Sequence, residues 1–495
     1  MYCDVVMIEG SNNLLLLTPE FVLAGLALLV FTADLIIPEG KKEWVGRIAV
    51  VGLIGLLFVT ASTVMGINQP VYNNFLLVDH YSFVFKMIFI TVGIITILMS
   101  EEFVKTNLTS QGEYYGLVLL AILGMNILVQ SQEFLTAYIS LELLSFCLYV
   151  LVGYSKFNPK SNEAAIKYII FGTFSSAILL YGLSMVYSVV GSTLYSDIAQ
   201  VLSTSGFMDP VAMLGITFIM IGIAFKLGIV PFHSWIPDVY EGAPIPVTAY
   251  LAIGAKIAAF AFLARVVIGV MLPVEELWSS WKIIFAILAI ATMVIGNGIA
   301  IVQTKVKRML AYSSIGHSGV LLSGIVVFGS TNGIVLESLG YYLVGYAVTS
   351  FAVFSAITAV TYNNNIELIK DFAGLSDEKP LLSASIAIGL FSLAGLPLFV
   401  GFTIKFYLFS SISIGGYLWL AGIAVLASLV SLYYYLIMIK SMYVDVPEQE
   451  RAHADITVRW PMWIVIILSI LMTIALGIYP DPLVNQLNEI SDLLK

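Results

Sequence analysis

Val211-Ala212-Met213-Leu214-Gly215-Ile216-Thr217-Phe218-Ile219-Met220-Ile221-Gly222-Ile223-Ala224-Phe225-Lys226-Leu227-Gly228-Ile229-Val230-Pro231 is an apolar run with a single charge in it. A helix of roughly 20 apolar residues crosses about 30 Å of hydrocarbon. A lysine at mid-membrane depth costs roughly 2.5–3.5 kcal/mol on insertion scales. The stretch therefore reads as a spanning helix in which Lys226 has a use. It runs into Pro231 and Pro237, where an unbroken helix cannot continue.

Outward from this segment the pattern repeats. Lys86, Lys167, Lys256 and Lys405, with one glutamate, Glu142, also sit inside apolar runs of spanning length. Candidate spans fall near 18–37, 44–66, 79–99, 113–130, 133–153, 163–189, 211–230, 244–270, 281–301, 307–327, 335–360, 380–411, 416–440 and 461–479, fourteen in all. The twelfth is long and interrupted at Gly395-Leu396-Pro397. Only 11% of the 495 residues are charged and 60% are hydrophobic. A soluble chain has about 25% charged residues, so the chain is a polytopic, all-α membrane protein. No connection is long enough for a soluble domain. No basic stretch precedes the first apolar run, which is expected to be a retained span and not a cleaved signal.

Composition also excludes function classes. The two cysteines, Cys3 and Cys147, are too few for a disulfide framework, a cysteine-ligated cluster or a zinc cluster. No glycine-rich dinucleotide fingerprint is present, and no basic patch suits nucleic acid. This chain is expected to bind no cofactor and to carry no electrons itself. The net charge of −9 is spread over short loops and decides nothing.

Lysine and arginine placement sets orientation. With connections alternating from an outer N-terminus, one side holds Lys41, Lys42, Arg47, Lys105, Lys156, Lys160, Lys305, Lys307, Arg308, Lys370, Lys379, Lys440, Arg451 and Arg459. The other holds Lys282, Lys495 and, at a helix end, Arg265. This bias predicts both termini on the outer side of a cell membrane. An internal repeat is also suggested, because Phe225, Leu227 and Pro231 share their spacing with Phe391, Leu393 and Pro397. The two sites lie five spans apart, and an odd offset inverts the unit across the membrane, as in transporters with broken helices.

The charged residues point to ion movement. Glu142 lies mid-span in Ser140-Leu141-Glu142-Leu143. An isolated carboxyl there stays protonated, whereas one paired with a lysine is a titratable switch. Lys226 precedes the Pro231 break, and moving a nearby carboxylate charge would load or unload its proton. Lys256 is mid-span beside Gly254 and Ala255, which leave room for a helix or water. Lys405 follows the interrupted twelfth span, where freed carbonyls can hold water. Lys167, about one turn into the sixth span, suits either a supporting electrostatic role or simple snorkelling. Lys86 reads as structural, Asp34 as interfacial, and the run Tyr433-Tyr434-Tyr435 as packing or interfacial. His233, just past the break, and His317, in the polar stretch Tyr312-Ser313-Ser314-Ile315-Gly316-His317, suit proton relay near neutral pH. His80 and His453 fall in loops.

The stretch from Phe225 through Pro231-Phe232-His233-Ser234-Trp235-Ile236-Pro237-Asp238-Val239-Tyr240-Glu241-Gly242-Ala243-Pro244 to Ala249 resembles the signature of the antiporter-like subunits of respiratory complex I. The Asp238–Gly242 portion and Arg308-Met309-Leu310-Ala311-Tyr312-Ser313-Ser314-Ile315-Gly316-His317 resemble the subunit N group within it. So do Leu141-Glu142-Leu143-Leu144-Ser145 and Phe171-Gly172-Thr173-Phe174-Ser175-Ser176-Ala177. The likeness covers essentially the whole chain. It implies fourteen spans with two inverted five-helix repeats and broken helices 7 and 12. The corresponding units are a three-helix segment over 1–112, five-helix units over 113–270 and 281–440, and a last loop, helix and short tail over 441–495.

The resemblance further implies a proton path in which Glu142, Lys226, Lys256 and Lys405 match the family's buried charges, with His233 and His317 near the same axis. Flavin and iron–sulfur clusters belong to partner subunits, and the expected partners are the other membrane subunits, including neighbouring antiporter-like ones. Where the family shows Gly-Ile-Pro-Pro, and a glycine just before its last lysine, this chain has Gly395-Leu396-Pro397-Leu398 and Ile404. No long amphipathic extension follows the last span, so the resemblance is not to the subunit with the lateral helix. The alternative is a subunit of a multi-subunit cation/proton antiporter. A third reading, from another class, is an inert scaffold whose charges only hold helices together.

Overall fold

The computed structural model describes residues 13–108, 110–204, 209–331, 333–361, 366–447 and 456–489. Cys3, Arg451, His453, Lys495 and both termini lie outside the described residues. The fold is a bundle of helices: α1 (Thr18–Ile36), α2 (Glu43–Val64), α3 (His80–Asn107), α4 (Gln111–Gln130), α5 (Phe134–Val152) and α6 (Pro159–Val190). Next come α7 (Pro210–Leu227), the short α8 (Trp235–Gly242), α9 (Ile245–Met271), α10 (Glu275–Ala300), α11 (Val306–Ile325) and α12 (Ile334–Thr361). The chain then forms α13 (Pro380–Ala394), α14 (Val400–Ile414), α15 (Leu418–Tyr443) and α16 (Trp460–Ile478).

Twelve of the helices in the described residues are long and apolar enough to cross a membrane, counting α1 with the turn before it. α11 has the length but carries Ser313, Ser314, His317 and Ser318, and all four are buried. Such a helix is stable only inside a bundle where neighbours take up its polar groups. Helix ends fall within a few residues of the expected spans. Exceptions are the longer α3 and a short helix, Tyr195–Thr204, in a connection that lacks a spanning pattern.

Lipid supplies no hydrogen bonds, so each break needs its own closure. α7 starts on Asp209, whose side chain accepts from the Val211 and Ala212 N–H groups, with Pro210 in the first turn. It stops at Gly228, at φ +67°, a left-handed conformation that a side chain resists. Gly228 N–H bonds Phe225 O and Ile229 N–H bonds Ala224 O. The Trp235 indole also donates to Phe225 O at 3.0 Å, and Ser318 Oγ donates to Leu227 O at 3.0 Å. These contacts dock the break onto α8 and α11.

α13 stops in the same way. Gly395 is at φ +90°, its N–H bonds Phe391 O and Ser392 O, and Leu396 N–H bonds Phe391 O. The two glycines do not keep the register of the shared Phe-x-Leu spacing. Gly228 follows Phe225 by three residues, whereas Gly395 follows Phe391 by four. Leu398 sits at φ +81°, which a proline ring, fixed near −65°, cannot adopt. Ile404 lies over Gly345, where an added Cβ would meet its Cγ2 at 2.6 Å. The departures at 398 and 404 are thus matched by local backbone and packing.

Candidate functional site

The centre of the bundle holds a line of buried polar side chains from α5 to α14. Glu142 on α5 accepts from Ser176 Oγ of α6 at 2.5 Å. Lys226 on α7 lies 3.7 Å from the same Glu142 oxygen. Its ammonium donates to Ser145 Oγ at 2.7 Å and to Tyr149 OH at 3.4 Å. Ser145 is three residues after Glu142, so one face of α5 presents both.

Between Lys226 and Lys256 lies a cavity of about 20 Å³, bordered by both lysines, Ser145, Trp235 and Tyr240. A cavity of roughly 10–15 Å³ or more has room for one water, so there is space for a single water beside the two lysines. Lys256 follows a π-helical turn, Leu251–Ala255, a distortion that recurs at functional sites. Its Nζ donates to Ser314 O at 2.5 Å and makes a short bond to Ser314 Oγ. It also lies 5.4 Å from the centre of the Tyr346 ring. Tyr240 OH is 3.4 Å from Ser314 Oγ, which ties α8 to the same point.

Across α11 the line continues. Ser313 Oγ bonds Tyr435 OH, and Tyr435 OH lies 3.5 Å from His317 Nε2. His317 Nδ1 bonds Tyr342 OH at 2.7 Å. Tyr434 OH donates to Asn297 Oδ1 at 3.0 Å. Tyr434 and Tyr435 are buried, and only Tyr433 is exposed. Two of the three are thus packed inside the bundle, with their hydroxyls bonded to neighbouring helices. The apolar context of α15 hid them, because a hydroxyl's partner on another helix leaves no trace in local spacing.

Lys405, at the far end, donates to Leu393 O at 2.8 Å and to Ala394 O at 3.0 Å. It therefore caps the C-terminus of α13, where a cation is favoured by the helix dipole. A cavity of about 10 Å³ lies against both Lys405 and His317. The geometry thus brings Glu142, Lys226, Lys256, His317 and Lys405 onto one line.

Lys167 and His233 stand apart from it. Lys167 is partly exposed and bonds Asp238 and Glu163, each at 2.8 Å. Arg308 bonds Asp238 and Glu241 at 2.9 Å each, Lys305 bonds Glu241 at 2.5 Å, and Lys160 bonds Glu367 at 2.6 Å. Burial alone pushes the Asp238 and Glu241 carboxyls up. Hydrogen bonds from Lys167 and Arg308 to Asp238, and from Lys305 and Arg308 to Glu241, outweigh it and hold both below the ordinary carboxylate range. Clefts of about 630 and 300 Å³ open on either side of this chain of ion pairs. His233 is half-buried, and its Nδ1 has no partner among the described residues.

The family described as NADH:quinone oxidoreductase/Mrp antiporter, TM, matches residues 131–431. The NADH-quinone oxidoreductase subunit N of Moorella thermoacetica is 41% identical over 473 residues, 96% of this chain and 97% of that one. A chain of respiratory complex I from Thermus thermophilus has a TM-score of 0.78 at 27% identity, covering 94% of this chain and 99% of that one. A chain of the Mrp complex from Dietzia shares the fold at a TM-score of 0.83 and 19% identity, covering 97% and 98%. With the residues of the α7–α9 signature in place and the likeness running end to end, this chain belongs to the NADH-quinone oxidoreductase subunit N family.

Proposed function

We propose that this chain is a proton-translocating membrane subunit of a complex I-type NADH-quinone oxidoreductase. The observation that carries the reading is the buried line from Glu142 through Lys226, Lys256 and His317 to Lys405, with room for a water between its first two lysines. Such groups are expensive inside a bilayer and mark ion paths.

The contacts support the following steps. A shift of charge near Glu142 changes how tightly Lys226 holds its proton, since the two lie 3.7 Å apart in a medium that screens poorly. The proton passes by way of the cavity to Lys256, then along the hydroxyls of Ser314, Ser313 and Tyr435 to His317 and Lys405. Lys167 acts at a distance, as part of the ion-pair network on α8, and His233 serves a feeding branch beside the α7 break. Electron transfer takes place in partner subunits, which hold the flavin and iron–sulfur clusters. Neighbouring antiporter-like subunits adjoin this one in the membrane.

The architecture in this reading has fourteen spans, with α13 and α14 as the two halves of one broken span and α8 as part of the α7 break. The five-helix units cover 113–270 and 281–440, inverted relative to one another, and the glycine-closed breaks after α7 and α13 are their counterparts. Residues 1–112 form a three-helix segment, and 441–495 the last loop, helix and tail. Both termini face outward across a plasma membrane, with the ion-pair network on the inner face.

The test is proton movement per electron by the assembled oxidoreductase in sealed vesicles, with Lys226 replaced by alanine. Loss of pumping with assembly retained is the expected result. A normal ratio would remove Lys226 from the path.

A further inference from the structure

A second buried charged cluster lies outside this line, where α1, α3 and α4 meet. Lys86 of α3 is fully buried and pairs with Glu20 of α1 at 2.9 Å. Gln130, at the end of α4, donates to the same Glu20 oxygen at 2.7 Å. One turn back on α4, Asn126 is also fully buried. Among the described residues, the other Glu20 oxygen, the Gln130 carbonyl oxygen and both amide atoms of Asn126 have no hydrogen-bond partner.

This is a poor design for a helix clamp. A buried polar atom without a partner is destabilising, and apolar side chains of similar volume replace a buried ion pair with little loss or with a gain. Unpaired donors and acceptors in one place suit bound water, which takes about three hydrogen bonds when buried. The cluster also adjoins a second ion pair. Arg265 bonds Asp79 at 2.6 Å and donates to the carbonyl of Val129, the residue before Gln130. Asp79 caps α3, which carries Lys86, and Arg265 lies further along α9 from Lys256.

We propose that Glu20, Lys86, Asn126 and Gln130 form a water-binding proton site where the three-helix segment packs against α4, at the end of the bundle opposite the Lys167–Asp238 network. The inference rests on the proton-pumping reading and adds a relay to it. In the transfer, an N–H of the Lys86 ammonium breaks, the proton crosses one bound water, and an O–H forms on the free Glu20 oxygen. Two opposite charges become two neutral groups. Release of that proton to the adjoining face leaves a carboxylate beside a neutral Lys86 amine, and uptake of one proton by that amine restores the starting ion pair for the next transfer.

Two measurements on the intact assembly decide it. A density map fine enough to show ordered water should place water within hydrogen-bond distance of Asn126 and the free Glu20 oxygen, and a dry contact there would overturn the site. In sealed vesicles, E20M/K86M should assemble and yet move fewer protons per electron, while E20D retains most of the movement. Full pumping by E20M/K86M, alongside loss in Lys226→Ala, would make the pair structural and leave the main path standing. Should the double variant fail to assemble, N126L, which keeps the ion pair, takes its place with the same two outcomes.

Discussion

The Lys226 ammonium is closer to a serine than to its carboxylate: 2.7 Å to Ser145 Oγ against 3.7 Å to Glu142. The Glu142 oxygen that faces it is already engaged by Ser176 at 2.5 Å. Each charge keeps a neutral partner, so the pair can lose or gain one charge without leaving the other side chain bare.

Glu142→Gln keeps the Ser176 contact and removes the charge. Pumping should fall steeply while assembly survives. Proton movement per electron in sealed vesicles reads the first, and recovery of the intact complex the second. An unaltered ratio would contradict a charge-switch role for Glu142.

Ser145→Ala removes the nearest acceptor of Lys226 and leaves Glu142 in place. A hydrogen bond to a charged group contributes about 1.5–3 kcal/mol, so the proton affinity of Lys226 should shift and the pH dependence of pumping should move with it. A pumping profile that overlays the unaltered one would show that Ser145 is a spectator.

Gly395→Ala places a Cβ at φ +90°, 3.0 Å from Lys405 Cδ. A side chain in the left-handed region costs roughly 1–2 kcal/mol. The thermal midpoint of the solubilised assembly should drop, and pumping should drop with it because Lys405 is displaced. Equal stability and equal pumping would mean that the break tolerates another closure.

The Asp238 and Glu241 network should respond to acid in one direction. Both carboxyls are held below their ordinary values in the folded chain. The stability they contribute is therefore present above the unfolded pKa and is lost as pH falls through the lowered folded pKa. Arg308→Gln should therefore lower stability at neutral pH, and the gap to the unaltered protein should close as pH falls below the ordinary carboxylate range of about 4. At neutral pH a partly exposed pair of this kind contributes about 0–1 kcal/mol. Thermal melts of both proteins across that range provide the check.

The spans were legible because length and apolarity are local properties, and the charges were legible because a bilayer makes each one conspicuous. Lys226, Lys256 and Lys405 could thus be picked out one by one. Glu142 could be picked out with them, but their hydroxyl partners could not. Ser314 meets Lys256, and Tyr435 meets Ser313, only once α9, α11 and α15 are side by side. Hydroxyls are cheap enough in a membrane helix to raise no alarm. Glu20 went unremarked because it stands in the first turn of α1, where an acidic residue needs no special reason. Asp238 and Glu241 were visible as part of a signature, but their role as the joint among α6, α8 and α11 is a matter of contact.

Lys405 holds the carbonyls of Leu393 and Ala394, the last two residues of α13. In the proposed path its proton is thus a fastener as well as a cargo. When the ammonium gives that proton up, it keeps fewer hydrogens with which to tie the severed helix end, and the dipole at that end loses its counter-charge. Departure of a proton would thereby be written into the backbone itself, as a loosened joint at the end of α13.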